Sequence, residues 1–498
     1  MNIVWFKRDL RVHDNLPLKA AANSGPFIPL YIYESELWNF AELGFRQRDF
    51  LFECLHSLNS ELTVRGQPLV FRRGSCEHVF SSLMTQFKIF NVFSYEETWN
   101  DWTFKRDLAL KKWFKKNKIV WQEFPRNGVV RGLKNRNDWS KQWKLRMQPK
   151  PVEAQKNFFH IEVGSDKIPK IESKKTPNFI NLAEKLPGGR ESGQIILDSF
   201  LKSRHYNYSR GISSPNTAFE SSSRLSPYLA FGVFSIKEIV HAIQSSKDTY
   251  VDGPHVKVAA GKASMSSFLS RIKWHCHFMQ KLEDQPEIEF NNIHSMTNKL
   301  DRVFNEEKFE AWKNGITGYP FVDACMRCLK HTGWINFRMR AMLMSFSSYH
   351  LWLPWQQSAT YLASLFIDFE PGIHYPQSQM QSGTTGINAI RIYNPLKQSS
   401  DHDPNGVFVK RWVPELKNVE PEKFLKPAAI EKKIGYPYLI VDEKESRAKA
   451  AEKMHSLKHS ETFKKEAEKI FLKHGSRKKI SRNRKVSNVI KSQKSFEF

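Results

Sequence analysis

The chain has 498 residues, of which 40% are hydrophobic and 13% aromatic, and it carries a formal net charge of +26 at pH 7. This length exceeds what one hydrophobic core usually supports, so we expect two or more domains. The positive charge favours a polyanionic partner, with a nucleic acid as the first candidate and an anionic membrane surface as the alternative. No apolar run in the sequence reaches the ~20 residues that span a bilayer, and charges follow the first short apolar run instead of preceding it as in a signal peptide. We therefore expect a protein of the cytosol, or of the nucleus in a host that has one.

The first 126 residues alternate short apolar runs with amphipathic segments, which is typical of βαβ units and a parallel sheet. The predicted strands are Asn2–Phe6, Phe27–Tyr33, Pro68–Phe71, Ile89–Ser94 and Ile119–Phe124. Predicted helices between them include Arg46–Leu62 and Trp102–Asn117. No glycine-rich dinucleotide loop follows the first predicted strand, so this domain need not bind a nucleotide. The pattern predicts an N-terminal α/β domain over residues 1–126, with a doubly wound, Rossmann-like parallel sheet.

The rest of the chain falls into three predicted parts. Residues 127–191 are rich in Lys, Pro, Ser and Asn, which is typical of a long connector between domains. Residues 192–440 show helical periodicity with few strand signals, and they predict an all-α domain large enough to enclose a ligand. Its long predicted helices are Ala263–Leu282, Phe321–Leu329 and Arg338–Trp352. Residues 441–498 form a basic tail with a possible polar helix and the clusters Arg477–Lys479 and Arg482–Lys485; this tail is either solvated or an arm that contacts a nucleic-acid backbone.

The cysteines and histidines favour neither a disulfide framework nor a metal site. Five cysteines are an odd and sparse set. Cys325 and Cys328 are spaced as C-x-x-C inside an apolar helical pattern without a second pair of ligands, so we expect them to be part of a core. His275 and His277 are two residues apart and would point to different sides of a helix. We therefore predict no bound metal.

Four segments combine charged, aromatic and small hydroxyl residues in a pattern that is more specific than any one of them. They are Val4–Asn15, Ser222–Gly232, Gly318–Arg340, and the group Ile367–Asp368, Arg391–Pro395 and Trp412–Leu416. Hydroxyl residues at the start of the second segment would leave backbone N–H groups free, which suits a pyrophosphate, although an ordinary helix N-cap is the alternative. In their order and spacing over residues 1–416, these segments resemble the photolyase/cryptochrome family. The chain is identified as a member of that family, similar to class I photolyases for cyclobutane pyrimidine dimers and to a divergent bacterial subgroup.

The resemblance implies that FAD binds, bent into a U, in the helical domain. The residues on the family's cofactor positions are Tyr206, Ser222, Ser223, Arg224, Leu225, Ser226, Arg340, Asp368, Glu370 and His374. Arg340 and Asp368 would form an ion pair beside the reactive edge of the flavin, where a fixed guanidinium stabilises an anionic reduced flavin; a purely structural salt bridge is the alternative. His374 falls at the position that faces flavin N5. These three residues, together with Trp355, are the predicted catalytic residues.

The sequence departs from the family pattern in the residues that carry electrons to the flavin. Ser378 and Met380 stand where two tryptophans are expected, and a serine side chain is not oxidised in such a chain. Trp355 matches the middle tryptophan, and the distal position falls at Phe304 or a neighbour. We therefore expect an alternative electron route through Trp355, Trp352, Tyr375 or Tyr393.

The predicted substrate pocket is also altered. Trp274 is kept as a stacking platform, whereas Arg271 replaces a glutamate and Phe337 replaces an asparagine of the family pocket. A cation at Arg271 could still donate to a carbonyl or to a dimer radical anion. The predicted substrate contacts are Arg210, Arg271, Trp274, Arg338 and Met380, within a basic rim that would include Lys273, Lys397 and Lys410. The acid that holds a folate in relatives is replaced near Trp102, so we expect either no antenna chromophore or a different one.

The resemblance predicts a deoxyribodipyrimidine photo-lyase, a carbon–carbon lyase that repairs UV-induced pyrimidine dimers, chiefly cyclobutane dimers, in double-stranded DNA. Reduced FAD, excited by light, would donate an electron to a dimer that is flipped out of the duplex. The alternative is a cryptochrome, a blue-light receptor that signals through flavin reduction and a moving tail. We expect a monomer of the bacterial cytoplasm that does not associate with a membrane.

Replacement of Trp355 by phenylalanine tests the predicted electron route. Because phenylalanine is not readily oxidised, Trp355→Phe is expected to slow reduction of the bound flavin under blue light. The rate is measured as the loss of the oxidised-flavin absorption band in the presence of a thiol reductant. An unchanged rate would remove Trp355 from the route.

Overall fold

A computed structural model of the chain describes residues 1–170, 186–248 and 255–476. The predicted basic clusters Arg477–Lys479 and Arg482–Lys485 lie outside these ranges. Within them, the regular structure consists of one five-stranded sheet and a set of helices. The helices are α1 (Leu16–Asn23), α2 (Ser35–Trp38), α3 (Phe45–Val64), α4 (Cys76–Met84), α5 (Asp101–Lys116), α6 (Trp139–Met147), α7 (Arg190–Lys202), α8 (Tyr208–Gly211), α9 (Pro215–Ser221), α10 (Ser226–Ala230), α11 (Ile236–Asp248), α12 (His255–Asp284), α13 (Glu306–Asn314), α14 (Pro320–Thr332), α15 (Phe337–Ser345), α16 (Trp355–Leu365), α17 (Pro371–Ser382), α18 (Pro395–His402), α19 (Val407–Trp412), α20 (Pro421–Phe424), α21 (Glu443–Lys458) and α22 (Glu461–His474).

The sheet forms the centre of the N-terminal domain. Its strands are β1 (Asn2–Phe6), β2 (Phe27–Tyr33), β3 (Val70–Arg73), β4 (Asn91–Tyr95) and β5 (Val120–Phe124). All are parallel, in the order β3-β2-β1-β4-β5. Helices α4 and α5 pack Phe80 and Phe114 against one face, and α1 and α3 pack Leu18 and Leu55 against the other. This arrangement confirms the predicted doubly wound sheet, and burial on both faces explains why β1 and β2 are largely apolar instead of alternating.

The predicted connector contains more structure than its composition indicates. Helix α6 buries Trp139 and Trp143 in a core shared with α3, α10 and α11. Residues 158–166 then follow the free edge of β3, where the Asp166 amide donates to the Phe71 carbonyl oxygen. This segment covers an edge strand that would otherwise leave its backbone groups unpaired.

The helical domain has its own core, built mainly from α14, α15, α16, α17 and α19. One predicted helix, Arg338–Trp352, is shorter than expected. Helix α15 ends at Ser345, one π-helical turn covers Phe346–His350, and Trp352 adopts a left-handed φ of 56°. The π-helical turn and the left-handed backbone at Trp352 end the helical segment before the predicted end.

The first part of the predicted basic tail forms two helices that pack on the helical domain. Helices α21 and α22 are separated by a short turn, in which Ser460 Oγ accepts a hydrogen bond from the Phe463 amide and caps α22. Met454 of α21 packs beside Tyr349, and His474 at the end of α22 is 1% exposed. Up to Ser476, this part of the chain is therefore packed against the protein.

Two of the sequence motifs meet at the junction between the sheet and the helical domain. The Leu10 amide donates to the Phe231 carbonyl oxygen, and the Arg11 guanidinium donates to the Gly232 carbonyl oxygen. Gly232 has a φ of 68°, and a Cβ atom there would lie 2.0 Å from the Arg8 carbonyl oxygen. The position needs glycine both for its conformation and for the close approach of the two backbones.

Gly232→Ala is therefore expected to lower the free energy of unfolding by about 2–4 kcal/mol, because it adds left-handed strain to a backbone clash. Gly132→Ala is the matched control, since Gly132 has a φ of 65° with open space around its Cβ position. The control is expected to cost only about 1–2 kcal/mol. Urea denaturation followed by tryptophan fluorescence measures both, and equal losses would contradict a close-packed junction.

Candidate functional site

A cavity of about 80 Å³ lies between α15, α16 and α17 in the helical domain. The predicted residues Arg340, Asp368, Glu370 and His374 all line this cavity, as does Ser378. Apolar side chains complete the wall, and they are Phe337, Ala341, Met344, Leu362, Phe366, Phe369 and Ile373. The structure thus brings together residues that are up to 38 positions apart in the chain, although their role toward a cofactor stays a prediction.

Arg340 and Asp368 form a bidentate ion pair on the cavity wall. Arg340 Nη1 and Nη2 donate to the two carboxylate oxygens at 2.9 and 3.0 Å. Arg340 Nε donates to the Ile335 carbonyl oxygen, and the guanidinium lies 4.1 Å from the centre of the Phe366 ring. The Asp368 side chain is only 4% exposed, so its carboxylate oxygens depend on Arg340 for hydrogen bonds. The pair holds a fixed positive group at the edge of the cavity.

A second buried pair, which was not predicted, stands behind the cavity. His275 Nε2 lies 2.6 Å from Glu370 Oε2, and Glu370 is 3% exposed. Burial lowers the pKa of His275, but the Glu370 carboxylate outweighs burial and the pKa rises to about 10. Glu370 Oε1 is buried and has no hydrogen-bond partner among the residues that the structure describes. This oxygen can accept a hydrogen bond from a ligand in the cavity.

His374 is held as a neutral ring at neutral pH. Burial lowers its pKa to about 4. Its Nε2 lies 2.8 Å from the Ala359 carbonyl oxygen, which can only accept, so the proton of the neutral ring sits on Nε2. The other ring nitrogen, Nδ1, is therefore an acceptor.

The predicted phosphate loop, residues 222–226, connects α9 to α10. Arg224 has a φ of 57°, which is uncommon for a residue other than glycine, and Ser222 Oγ is buried without a partner in the described part of the chain. Arg204, which was not predicted, donates hydrogen bonds to the Ser222 and Ser223 carbonyl oxygens. Arg204 thus holds the loop through its backbone carbonyl groups, and the Ser222 hydroxyl remains a donor for a ligand oxygen. Tyr206 lies next to Arg204 and is 36% exposed.

A larger cavity, of about 340 Å³, adjoins the first. Gln381 lines both cavities. The predicted substrate residues Trp274 and Met380 line the larger one, with Phe278 packed 5.9 Å from the Trp274 ring and Trp139 nearby. Its wall also carries a set of basic side chains, namely Arg136, Lys273, His277, Lys281, Arg391 and His474. An aromatic surface beside several cations suits a ligand with both planar rings and negative charge.

Three of the basic side chains of the larger cavity, Arg136, Lys281 and His474, are buried. Burial, aided by the Arg136 cation, lowers the pKa of Lys281 to about 7, and Lys281 is 7% exposed. Burial also lowers the pKa of His277 and takes that of His474 to about 2. An anion in the cavity would favour the charged form of Lys281.

Other predicted substrate residues lie elsewhere. Arg271 contacts Tyr208, whereas Arg338 lies near His402 on α18. Arg210 is on α8, and neither it nor the other two arginines are among the described residues that line the larger cavity. Of the predicted basic rim, Lys273 lines the cavity, Lys397 pairs with Asp401 on α18 and Lys410 lies on α19.

The predicted electron-route residues separate into two groups. Trp355 and Tyr375 pack against each other with ring centres 6.1 Å apart, close to the smaller cavity. Trp352 belongs to a different cluster, where Arg302 and Lys453 each lie 4.8 Å from its ring centre. The structure thus joins two of the four predicted residues.

The N-terminal domain has a small crevice of about 30 Å³ at the carboxyl end of its strands. Arg106 forms ion pairs there with Glu34 and Glu97, and Arg8 lies 3.3 Å from the centre of the Trp99 ring. Acidic and basic side chains thus pair with each other within the crevice. The expectation of either no antenna chromophore or a different one stays a prediction.

No helix in the described ranges is both long and apolar enough to cross a membrane. Among the same residues, no group of three or more His, Cys, Asp or Glu side chains could hold a metal ion. Burial raises the pKa of both Cys325 and Cys328, which keeps them as unreactive thiols.

The His275–Glu370 pair makes a prediction about pH. The folded-state pKa of His275 lies above the ~6.5 of an unfolded chain, so the stabilisation is fully present below about pH 6.5 and is lost as the pH rises through about 10. In Glu370→Gln, the pKa of His275 is expected to fall, because the largest interaction that opposes burial is removed. Histidine NMR titration measures both pKa values, and a signal that titrates near pH 6.5 in both proteins would contradict the pair.

Comparison with known proteins identifies the family. The model for "DNA photolyase" matches residues 2–138, and that for "FAD binding domain of DNA photolyase" matches residues 268–456, together more than half of the chain. A deoxyribodipyrimidine photo-lyase of Vibrio cholerae is 28% identical over 482 residues, which cover 90% of this chain and 97% of that protein. Cryptochrome-1 of Arabidopsis thaliana is 27% identical over 492 residues, covering 92% and 70%. The crystal structure of a class III photolyase from Agrobacterium tumefaciens superposes with a TM-score of 0.79 at 26% identity, covering 92% and 98%. The sheet domain, the helical domain with its paired Arg340 and Asp368, and these matches place the chain in the photolyase/cryptochrome family.

Proposed function

We propose that the protein binds FAD in the smaller cavity and uses it to repair pyrimidine dimers in DNA under light, with cyclobutane dimers as the main substrate. The observation that carries this proposal is the pair of adjoining cavities, which meet at Gln381. One has hydrogen-bonding and ionic groups suited to a flavin, and the other has aromatic and cationic groups suited to a damaged dinucleotide. A ligand in each would contact Gln381.

The residues around the smaller cavity fit a flavin. Glu370 Oε1, a buried acceptor without a partner among the described residues, can accept the hydrogen bond that a ring imide N–H donates. Arg340 supplies a fixed cation beside the ring, and His374 Nδ1 can accept from an N–H of the reduced ring. The buried Ser222 hydroxyl supports a position for the pyrophosphate at the loop held by Arg204.

Bound and reduced, FAD supplies the light-excited electron that opens the dimer and takes it back afterwards, so the reaction has no net redox change. The protein's own residues limit competing reactions of the bound ring, chiefly protonation and contact with water. Phe366 and Phe369 exclude water from the cavity wall, and the Arg340–Asp368 pair places positive charge beside the ring without a mobile proton. His374 stays neutral, so it cannot protonate a ligand at neutral pH.

The larger cavity fits a dimer that has left the duplex. Trp274 and Phe278 offer apolar faces for the two pyrimidine rings, and the surrounding cations can neutralise the phosphates that flank the lesion. Met380 replaces the second aromatic wall of the family pocket with a flexible, polarizable side chain. The net charge of +26 supports double-stranded DNA as the partner.

A blue-light receptor of the cryptochrome type is the second candidate. It is favoured by Met380, which stands where the family pocket is expected to have a second tryptophan that stacks on the dimer. The basic cavity wall favours repair, because a receptor that binds no DNA has no need of cationic side chains such as Lys273 and Arg391 around an open cavity.

The test has two parts. Purified protein supplied with FAD is expected to hold one flavin per chain, which the absorption spectrum after denaturation measures, and to restore thymine dimers in an oligonucleotide under blue light once reduced. Trp274→Ala is expected to weaken the preference for dimer-containing over dimer-free DNA by about 5- to 150-fold, because one base-stacking surface is worth about 1–3 kcal/mol. No repair of either cyclobutane or (6-4) products would favour the receptor.

A further inference from the structure

Tyr375 contacts both Trp355 and two residues of the wall of the smaller cavity. Its ring centre lies 5.4 Å from that of His374 and 6.1 Å from that of Phe369, and both of these residues line the cavity. The Tyr375 ring also packs 6.1 Å from Trp355. Among the described residues that line the cavity there is no Trp or Tyr, since Ser378 stands there. Tyr375 is thus an oxidisable side chain one residue behind the cavity wall.

The hydroxyl group of Tyr375 has a base within hydrogen-bond reach. Tyr375 Oη donates to Glu42 Oε1 at 3.2 Å. Glu42 lies in the turn before α3 of the N-terminal domain and is partly exposed, whereas Tyr375 is 3% exposed. Burial, and then the Glu42 and Glu289 carboxylates, raise the pKa of the phenol. The phenol therefore keeps its proton in the resting protein, and a carboxylate that also contacts solvent is in place to take that proton when an electron is removed.

Trp355 lacks such a base. Its Nε1 donates to Asn292 Oδ1 at 2.6 Å, and an amide oxygen is a poor proton acceptor. Trp355 is 2% exposed, so an indole cation formed there would be held away from water. The neighbouring phenol can lose an electron and a proton together, which leaves no buried charge on the ring. An oxidised Trp355 would therefore be reduced by Tyr375.

We infer that Tyr375 and Glu42 form a proton-coupled electron donor that reduces the bound flavin in light. The inference rests on the proposed function, which supplies the flavin. In the step, one electron leaves the Tyr375 phenol for the photoexcited oxidised flavin, the Oη–H bond breaks, and the proton passes to Glu42. The products are a neutral tyrosyl radical, a protonated Glu42 and a flavin that holds one more electron. A thiol from solution then returns one electron and one proton to the tyrosyl radical, and Glu42 releases its proton to water.

Three variants of the full chain with bound FAD test this donor. Tyr375→Phe removes the transferable proton, and Glu42→Gln keeps an oxygen that accepts the hydrogen bond but cannot take the proton. Tyr361→Phe is the matched control. Tyr361 is a half-buried phenol with its pKa raised by burial to about 12, but it donates to the Lys313 carbonyl oxygen at 3.1 Å. Blue light with a thiol reductant drives reduction, which the loss of the oxidised-flavin band measures.

Tyr375→Phe and Glu42→Gln are each expected to slow flavin photoreduction by about tenfold or more, the range in which a positioned base contributes to a proton transfer. The wild-type rate is expected to fall in heavy water, and Glu42→Gln is expected to lose this isotope effect. Electron paramagnetic resonance of the illuminated wild-type protein is expected to detect a tyrosyl radical that Tyr375→Phe abolishes and Tyr361→Phe keeps, with a wild-type rate for the control.

A Tyr375→Phe protein that holds one FAD per chain and is photoreduced at the wild-type rate would overturn the donor and leave the proposed function intact. A radical confined to tryptophan in the wild-type protein would overturn it as well. A wild-type chain that retains no flavin would instead overturn the proposed function, and this donor with it.

Discussion

The ion pair of Arg340 and Asp368 is the interaction on which the geometry of the smaller cavity depends. An ionised carboxylate that is 4% exposed is costly unless it is paired, and removal of one partner from such a pair typically costs about 3–5 kcal/mol. The pair ties α15 to the turn before α17, and Arg340 Nε extends the tie to the Ile335 carbonyl oxygen. The two helices that form opposite walls of the cavity are thereby fixed relative to each other. The same demand for a buried partner places His275 beside Glu370.

Sequence patterns predicted the elements whose signal is local. The strands Asn2–Phe6 and Phe27–Tyr33 were predictable to the residue, because both are short apolar runs bounded by polar turns. Helix α6 was hidden inside a polar connector, since only Trp139, Trp143 and Met147 on one face make contact with the core. Burial of a few widely spaced aromatic residues is a tertiary effect, which composition does not report.

The candidate site was predictable only in part. The family motifs carry Arg340 and Asp368, but the support for the phosphate loop comes from Arg204, an arginine outside any of the four segments. On α12, residues 274, 277, 278 and 281 repeat with the spacing of one helix face, so a common cavity wall could have been inferred from their positions. His474 reaches that wall from α22, and contact between such distant segments has no signal in a single sequence.

Helix α17 carries residues of two kinds. Some line the proposed flavin and substrate cavities, and one, Tyr375, is the inferred electron donor. Residues 374, 378 and 381 are spaced by about one turn and line the smaller cavity, while residue 375 lies to one side of that row and faces the N-terminal domain. Replacement of an aromatic residue at 378 by serine removes a donor from the cavity wall. With Tyr375 as the inferred donor, an oxidisable ring lies where the Glu42 carboxylate of the N-terminal domain can take its proton. Electron supply would then depend on the contact between domains, so changes at the Gly232 junction or in the Glu42 turn would act on the redox state of the flavin as well as on the stability of the fold.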